Sequence, residues 1–399
     1  MSGSLERWIP HLLTVWRAHQ RGGRGEAVLP PTRLTSQEVR EVAAGIKRLS
    51  MGLTRDRTLA GAKYMDDPKL LGAYLLFYWP VSYAQGRQIL GELPSRPRSV
   101  LDLGSGPGPI AFAAADSGAR EVTAADRSKP ALELARALAA EAGERLSVRD
   151  WDPQRGQTLP EGRYDAITSG HLYNELFGKG PSSYGRRAAL VEKALAQLKP
   201  GGSVVMIEPA LRETSRDLLG LRDVLVGRGY AVRAPCYFRG PCPALVKESD
   251  WCHAEREWPM PPLVAELARA AGLHKEALKM SYLVLAPKGE AWAEPPPSQR
   301  IFRIVSEPLE GKGRHRYMGC GPEGRLGLAL QTKHRTADNE AFFSLKRGDV
   351  VAVTETEPKG DGVGLSDRST VKVIAHAGAI PASLGKSHHE TVGFPQRKS

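Results

Sequence analysis

The run "RSVLDLGSGPGPIAFAAADSG", residues 98–118, constrains this chain more than any other stretch. A short apolar strand, Val100 to Leu103, runs into Gly104, Gly106 and Gly108 and then into an alanine-rich helix. Glycine lets the backbone approach a ligand where any side chain would clash. The grammar then repeats. "EVTAADRS" reads as a strand and "KPALELARALAAEAG" as a helix. "YDAITSGHLYNEL" and "GGSVVMIEPA" read as strands around the helix "RRAALVEKALAQLKPGG" with its glycine stop. Residues 214–230 and "PPLVAELARAAGL" add helices, and "MSYLVLAPKG" a late strand. Strands alternating with helices imply an α/β fold with a doubly wound parallel sheet.

The flanks have a different character. Residues about 32–95 read as helices, with a capping-box start in which Thr35 or Ser36 precedes Glu38. The apolar stretch "LLGAYLLFYWPV" at 70–81 is too short to cross a membrane and reads as a buried helix. Beyond the Pro-rich "AEPPPSQ", short β-like runs separated by glycine turns predict a small OB-like barrel. The expected organisation is an N-terminal helical region over 1–95 and a core over 96–292 with a cysteine-bearing insertion at 235–258. A C-terminal β-barrel over 300–378 and a flexible tail over 379–399 complete it.

The net charge of +12 is unevenly placed. Residues 1–100 carry 15 Lys/Arg against 8 Asp/Glu, residues 300–399 carry 16 against 11, and the middle carries 25 of each. Basic ends around a neutral core suit a protein that grips a polyanion, although a generic solvated surface has the same charge. Four cysteines in 399 residues exclude a secreted disulfide scaffold and point to a reducing compartment. The N-terminus, "MSGSLERWIPHLLTVWRAHQ", lacks a secretory core and reads as a helix, with an Arg-bearing mitochondrial presequence as the alternative.

The spacing G-x-G-x-G differs from the G-x-G-x-x-G of dinucleotide sites, and Asp102 beside it would repel a pyrophosphate. A nucleoside with an ammonium-bearing tail fits better, which describes S-adenosylmethionine. Asp126 ends the second strand 22 residues after Gly104, where a carboxylate can take ribose hydroxyls. Asp150 and Trp151 follow the third strand and could meet the adenine. "LKPGG" before the next strand resembles a turn of class I methyltransferases. Asp102, Gly104, Gly106, Gly108, Asp126, Asp150 and Trp151 are therefore the expected cofactor contacts, with NAD or a purely structural glycine loop as the competing readings. His171, Asn174 and Glu175 are polar candidates after the fourth strand, or simply tethers for the next helix. Methylation through a thiolate nucleophile is disfavoured, because no cysteine precedes Cys236.

Three cysteines crowd one segment, "PCYFRGPCPALVKESDWCHAEREW". Five residues separate Cys236 from Cys242, nine separate Cys242 from Cys252, and 67 separate Cys252 from Cys320. Four thiolates suit zinc or an iron–sulfur cluster, and their spacing alone leaves both open. Together, "LDLGSGPG", "HLYNEL", "IEPA" and "PCYFRGPCP…DWCHAER" resemble the methyltransferase-like proteins of the mitochondrial small ribosomal subunit. That family comprises methyltransferase-like protein 17 and its yeast and bacterial relatives, and the resemblance covers about residues 35–350.

The resemblance implies a methyltransferase-like core that binds S-adenosylmethionine, with Cys236, Cys242, Cys252 and Cys320 holding a 4Fe–4S cluster. It implies an rRNA-binding assembly factor of the small ribosomal subunit rather than a committed enzyme. Arg314, His315, Arg316 and Tyr317, next to Cys320, mix cations with an aromatic ring as RNA-binding surfaces do. The alternatives are an active S-adenosylmethionine-dependent rRNA methyltransferase and a zinc-stapled methyltransferase of a non-RNA substrate. A monomer without membrane association is expected, in the bacterial cytoplasm or, alternatively, the mitochondrial matrix.

Overall fold

The computed structural model describes residues 5–20, 32–236, 238, 240–289, 299–309 and 311–376. The Pro-rich linker, apart from its last residue, and the expected flexible tail lie outside the described residues.

The N-terminal part forms α1 (Trp8–Gln20), α2 (Ser36–Ser50), α3 (Pro68–Ala73) and α4 (Trp79–Leu90). Thr35 caps α2, accepting from the Glu38 N–H, while the Glu38 side chain accepts from the Thr35 N–H. The buried stretch 70–81 is helical as expected, but a π turn, Tyr74–Tyr78, joins α3 to α4. A second π turn, Met51–Arg55, extends α2.

The core alternates β1 (Ser99–Leu103), α5 (Pro109–Asp116), β2 (Glu121–Asp126), α6 (Lys129–Ala142), β3 (Ser147–Asp150) and β4 (Tyr164–Gly170). It continues through α7 (Pro181–Ala196), β5 (Leu198–Pro209), α8 (Arg212–Gly227), β6 (Ala231–Ala234), β7 (Ala254–Glu257), α9 (Pro262–Ala270) and β8 (Ala277–Ala286). The strand order is β3-β2-β1-β4-β5-β8-β6, with β7 also paired to β8. β8 runs antiparallel to β5 and to β6, so the sheet is mixed rather than wholly parallel. This is the class I methyltransferase-like arrangement that the glycine loop predicts.

Side chains alternate across the strands as the pleat requires. Val100 packs with the N-terminal helices, α5 and α6, whereas Leu101 and Leu103 pack with α7 and α8. The expected glycine stop after α7 is absent. The helix ends at Ala196, and Gly201 and Gly202 lie inside β5, where the register with β4 shifts between Tyr164 and Ala166. Gly201 has φ of +76°, a conformation glycine adopts without strain, so this turn becomes an irregular strand start.

The C-terminal part is a seven-stranded sheet of β9 (Arg300–Ile304), β10 (Arg314–Gly321), β11 (Gly324–Gln331), β12 (Val350–Val353), β13 (Thr356–Lys359), β14 (Gly362–Leu365) and β15 (Val371–Ala375). Its order is β13-β14-β11-β10-β9-β12-β15, antiparallel except for the β11–β14 pair. Phe302, Tyr317, Leu328, Leu330, Val351, Val353, Val363, Leu365 and Val371 gather into one core within this sheet, whose order runs from β13 to β15 without closing. "RHRY" opens β10. Tyr317 is buried inside while Arg316 faces outward.

A buried polar chain joins the two sheets. Arg303 in β9 donates to the Pro235 carbonyl (3.2 Å) and to Tyr282 Oη in β8 (3.1 Å). The Tyr282 hydroxyl donates to Glu92, whose other oxygen takes Arg256 at 3.0 Å. Glu92 is 1 % exposed and Arg256 5 %. Replacing Glu92 with Ala leaves a buried guanidinium without its counter-charge. The substitution is expected to lower unfolding free energy by about 3–5 kcal/mol, measured by urea denaturation. A loss below about 1 kcal/mol would show that this chain does not hold the sheets together.

Candidate functional site

A cavity of ≈ 320 Å³ opens at the carboxyl ends of the parallel strands, where the order reverses between β1 and β4. Ligands of open α/β sheets bind at that position. Gly104, Gly106, Asp126 and Trp151 line it. Gly104 (φ +65°) passes so close to the segment after β4 that an added Cβ would sit 2.7 Å from Leu172. Asp126 knits the loop, accepting from the Gly106 N–H (2.7 Å) and the Ser128 N–H (2.8 Å). Burial raises its pKa above the ordinary carboxylate value.

Three of the other expected residues do not line the cavity. Asp102 is buried, accepting from Ala111 N–H (3.1 Å) and Thr168 Oγ1 (2.7 Å), and burial pushes its pKa up to about 7. It ties β1 to α5 and β4. Gly108 caps α5 and packs on Phe112. Asp150 is exposed, opposite Asp126 in the β2–β3 register. Its neighbour Asp152 borders the cavity instead, beside Trp151, whose buried Nε1 has no partner.

The segment after β4 forms the opposite wall. Glu208 at the end of β5 accepts from the backbone N–H groups of Tyr173 (2.9 Å) and Asn174 (3.3 Å) and from Asn174 Nδ2 (2.7 Å). Arg57 reaches over from the N-terminal part to Asn174 Oδ1 (2.6 Å). Glu175 accepts from the Gly61 N–H at 3.1 Å, and Arg127 donates to the Gly61 and Ala62 carbonyls. Residues 57–66 are thereby strapped across the cavity. Burial pushes Glu175 and Glu208 up to about 7. Asn174 and Glu175 bind β5 and the N-terminal segment rather than the next helix, and both line the cavity.

His171 sits at φ +59° and lines the same wall. Its Nε2 lies 3.2 Å from Gln85 Oε1, and Gln85 Nε2 donates to the Lys279 carbonyl (3.1 Å). That second bond aims the Gln85 oxygen at the ring, so Nε2 carries the proton and the unpartnered Nδ1 is bare. Burial first, then Lys275 and Arg57, lower the imidazole pKa to about 4. Nothing local in the sequence marks Gln85, Lys275 or the tyrosines of the π turn. The chain's closure over the sheet brings them here, and π turns are frequent at functional sites.

The four cysteines are free thiols. Cys320 lies on β10 between Arg303 of β9 and Arg325 of β11. Those two arginines reach the backbone beside the other thiols, Arg303 at the Pro235 carbonyl and Arg325 at the Trp251 carbonyl (3.4 Å). The Cys242 N–H donates to both Asp223 oxygens (3.1 and 3.0 Å), and Ser281 Oγ donates to the Cys252 carbonyl (3.0 Å). Fully buried Arg222 donates to the Phe238 (2.8 Å) and Gly240 (2.6 Å) carbonyls between the first two cysteines.

Burial and then its neighbour Cys236 push Cys242 up to about 12. Cys320 is raised by burial, then by Cys236, Cys252 and Cys242. The four therefore share one electrostatic neighbourhood across the two sheets. Among the described residues, no group of three or more His, Cys, Asp or Glu side chains is arranged to hold a single metal ion.

Comparison with known proteins adds the family. The model of the family described as mitochondrial small ribosomal subunit Rsm22 matches residues 70–353. No curated protein matches. Among solved structures, the ribosomal protein L11 methylase of Lactobacillus delbrueckii subsp. bulgaricus is 16% identical, with 52% of this chain and 78% of that chain covered and a TM-score of 0.31. TrmN of Thermus thermophilus is 20% identical, with 53% of each chain covered and a TM-score of 0.32. The DhpI–SAH complex is 16% identical, with 64% and 100% covered and a TM-score of 0.32.

The His171 assignment has a pH signature. Its folded pKa lies below the unfolded value of 6.5, so the folded state binds fewer protons between pH 6.5 and about 4. Stability is lost as pH falls through that window. Relative to His171→Asn, which tolerates the left-handed backbone, the wild-type chain is expected to lose about 3 kcal/mol from pH 6.5 to 4, read by urea titration. A difference that does not vary with pH would refute a neutral imidazole.

Proposed function

The chain belongs to the mitochondrial small ribosomal subunit Rsm22 family, and on that premise we propose that it is an rRNA-binding assembly factor of the small ribosomal subunit. Its methyltransferase-like core binds S-adenosylmethionine, and its four cysteines hold a 4Fe–4S cluster. The carrying observation is the meeting of thiols from two separate sheets, three from the segment between β6 and β7 and one from β10.

The donor set fits such a cluster. Burial first, and then the neighbouring Cys236, raise the pKa of Cys242, Cys252 and Cys320, so these buried thiols do not persist as bare thiolates, whereas a cationic iron–sulfur core would stabilise them. A cubane also spreads its ligands over four irons. Arg222, Arg303 and Arg325 around the thiols suit the net negative charge of a thiolate-ligated cluster.

For S-adenosylmethionine, the cavity offers a glycine loop at the nucleoside end and Trp151 as an apolar wall. Cysteine, cofactor and rRNA sites would then sit on one rigid body, so the protein would deliver a shape to the assembling subunit. The basic ends of the chain supply the charge for rRNA. The family's own description favours the mitochondrial matrix over the bacterial cytoplasm. Among the described residues, no helix is long and apolar enough to cross a membrane.

A second reading, an active rRNA methyltransferase, has one observation in its favour: His171, whose imidazole is held neutral by burial, lines the cavity. There it could take a proton from a nitrogen or oxygen nucleophile. Incubation with methyl-labelled cofactor and small-subunit rRNA separates the readings. Association without label transfer is expected, and stoichiometric transfer would establish the enzyme.

Anaerobically purified protein is expected to be brown, with broad absorbance near about 400 nm. Colourless protein carrying one zinc per chain would overturn the cluster. Cys320→Ser is expected to lose that absorbance and most co-sedimentation with small subunits, while still binding S-adenosylhomocysteine. Full ribosome association in this variant would disprove the clasp between the sheets.

A further inference from the structure

We infer that Lys275 is the counter-cation for the α-carboxylate at the amino-acid end of the bound cofactor, an assignment that rests on the S-adenosylmethionine reading above. Lys275 lies between α9 and β8 and lines the cavity beside His171, Gln85 and Lys279. It has no ion pair or hydrogen bond among the described residues, and burial alone lowers its pKa to about 8. Every other buried or half-buried cation of this wall is already committed. Arg57 holds Leu53 O and Asn174 Oδ1, and Arg127 holds two carbonyls. Lys279, more exposed, pairs with Glu255 at 2.8 Å, and Arg155 with Asp152 at 3.4 Å. Lys275 is half-buried, and an ammonium partly withdrawn from water without a partner carries a cost. A cavity that keeps one is built for a ligand bringing the missing negative charge.

The position along the cavity says which part of the ligand that is. Gly104, Gly106, Asp126 and Trp151 mark the ends of β1, β2 and β3, the nucleoside end. His171, Pro209 and Lys275 mark the ends of β4 and β5 and the approach to β8, on the other side of the Gly104–Leu172 contact. A nucleoside held at the first end directs its 5′ substituent across that contact. In S-adenosylmethionine this substituent ends in a carboxylate beside an ammonium. Lys275 answers the first, and the unprotonated ring of His171 adds no further positive charge beside the other.

The test compares two neutral-sulfur ligands by calorimetry. S-adenosylhomocysteine carries the amino-acid end, and 5′-methylthioadenosine lacks it. Lys275→Met is expected to weaken S-adenosylhomocysteine by at least about tenfold while changing 5′-methylthioadenosine by less than about twofold. Lys275→Arg, which keeps the charge, is expected to retain most of the affinity. The ligand-free Lys275→Met protein should melt no lower than wild type, because the substitution removes a half-buried charge that has no partner among the described residues, and this excludes misfolding as the cause. Equal weakening of both ligands, or of neither, overturns the assignment. Wild-type protein that binds neither ligand overturns the cofactor reading itself, a result distinct from a wild type that binds both and ignores residue 275.

Discussion

Two guanidinium groups, a phenol and one carboxylate are buried together where the two sheets and the end of α4 meet. Glu92 takes Arg256 directly and Arg303 through Tyr282. Charges at that depth are tolerated only when every partner is in place, so the geometry of the junction is narrowly specified. Arg303 is also the residue paired with Cys320 in the β9–β10 register. The contact that orients the C-terminal sheet is thus the contact that brings the fourth thiol to the other three. The linker between the sheets need not set their orientation, because this buried chain does.

The N-terminal part is equally necessary, for a different reason. A bare α/β sheet leaves the switch point between β1 and β4 open to water. Here residues 57–66 and the π turn before α4 roof it, held by hydrogen bonds from Arg57, Arg127 and Gly61. Widening a helix by one residue at Tyr74–Tyr78 turns Tyr74 and Tyr78 toward the cavity, which a regular helix of the same sequence would place elsewhere. Enclosure then explains the titration behaviour. Glu175, Glu208 and His171 all shift toward their neutral forms because water has been removed around them.

Where the sequence carries a strong local signal, the fold was legible. The glycine loop, the capping box at Thr35 and Glu38, and the alternating strands of the core could each be read from residues a few positions apart. The strand Arg314–Gly321 was obscured because charged residues occupy its outward positions and only Tyr317 is plainly inward. "LKPGG" looked like a helix stop because the proline and glycines suggest one, yet pairing with β4 recruits it into β5. In the site, Gly104, Gly106, Asp126 and Trp151 were readable from the order of strand ends. Asp150 was not separable from Asp152 without knowing how the chain turns after β3. Gln85 and Lys275 lie far from the loop in sequence and carry no motif; only tertiary closure places them.

The strand pair β5–β8 connects the two candidate sites most directly. Glu208 of β5 holds the backbone of Tyr173 and Asn174 in the cavity wall. Opposite it in register is Ser281 of β8, whose hydroxyl meets Ser215 of α8 at 2.6 Å and donates to the carbonyl of Cys252. One rung of a central, fully buried ladder therefore anchors the cavity through one residue and a thiol-bearing segment through its partner. Strands paired on both sides do not slide independently, since a register shift would turn every side chain to the other face. Any displacement of the cysteine segment must then be absorbed in the loops between β6 and β7, while the wall of the cavity keeps its shape. That mechanical separation lets one chain carry a group of buried thiols and a roofed cavity without either deforming the other.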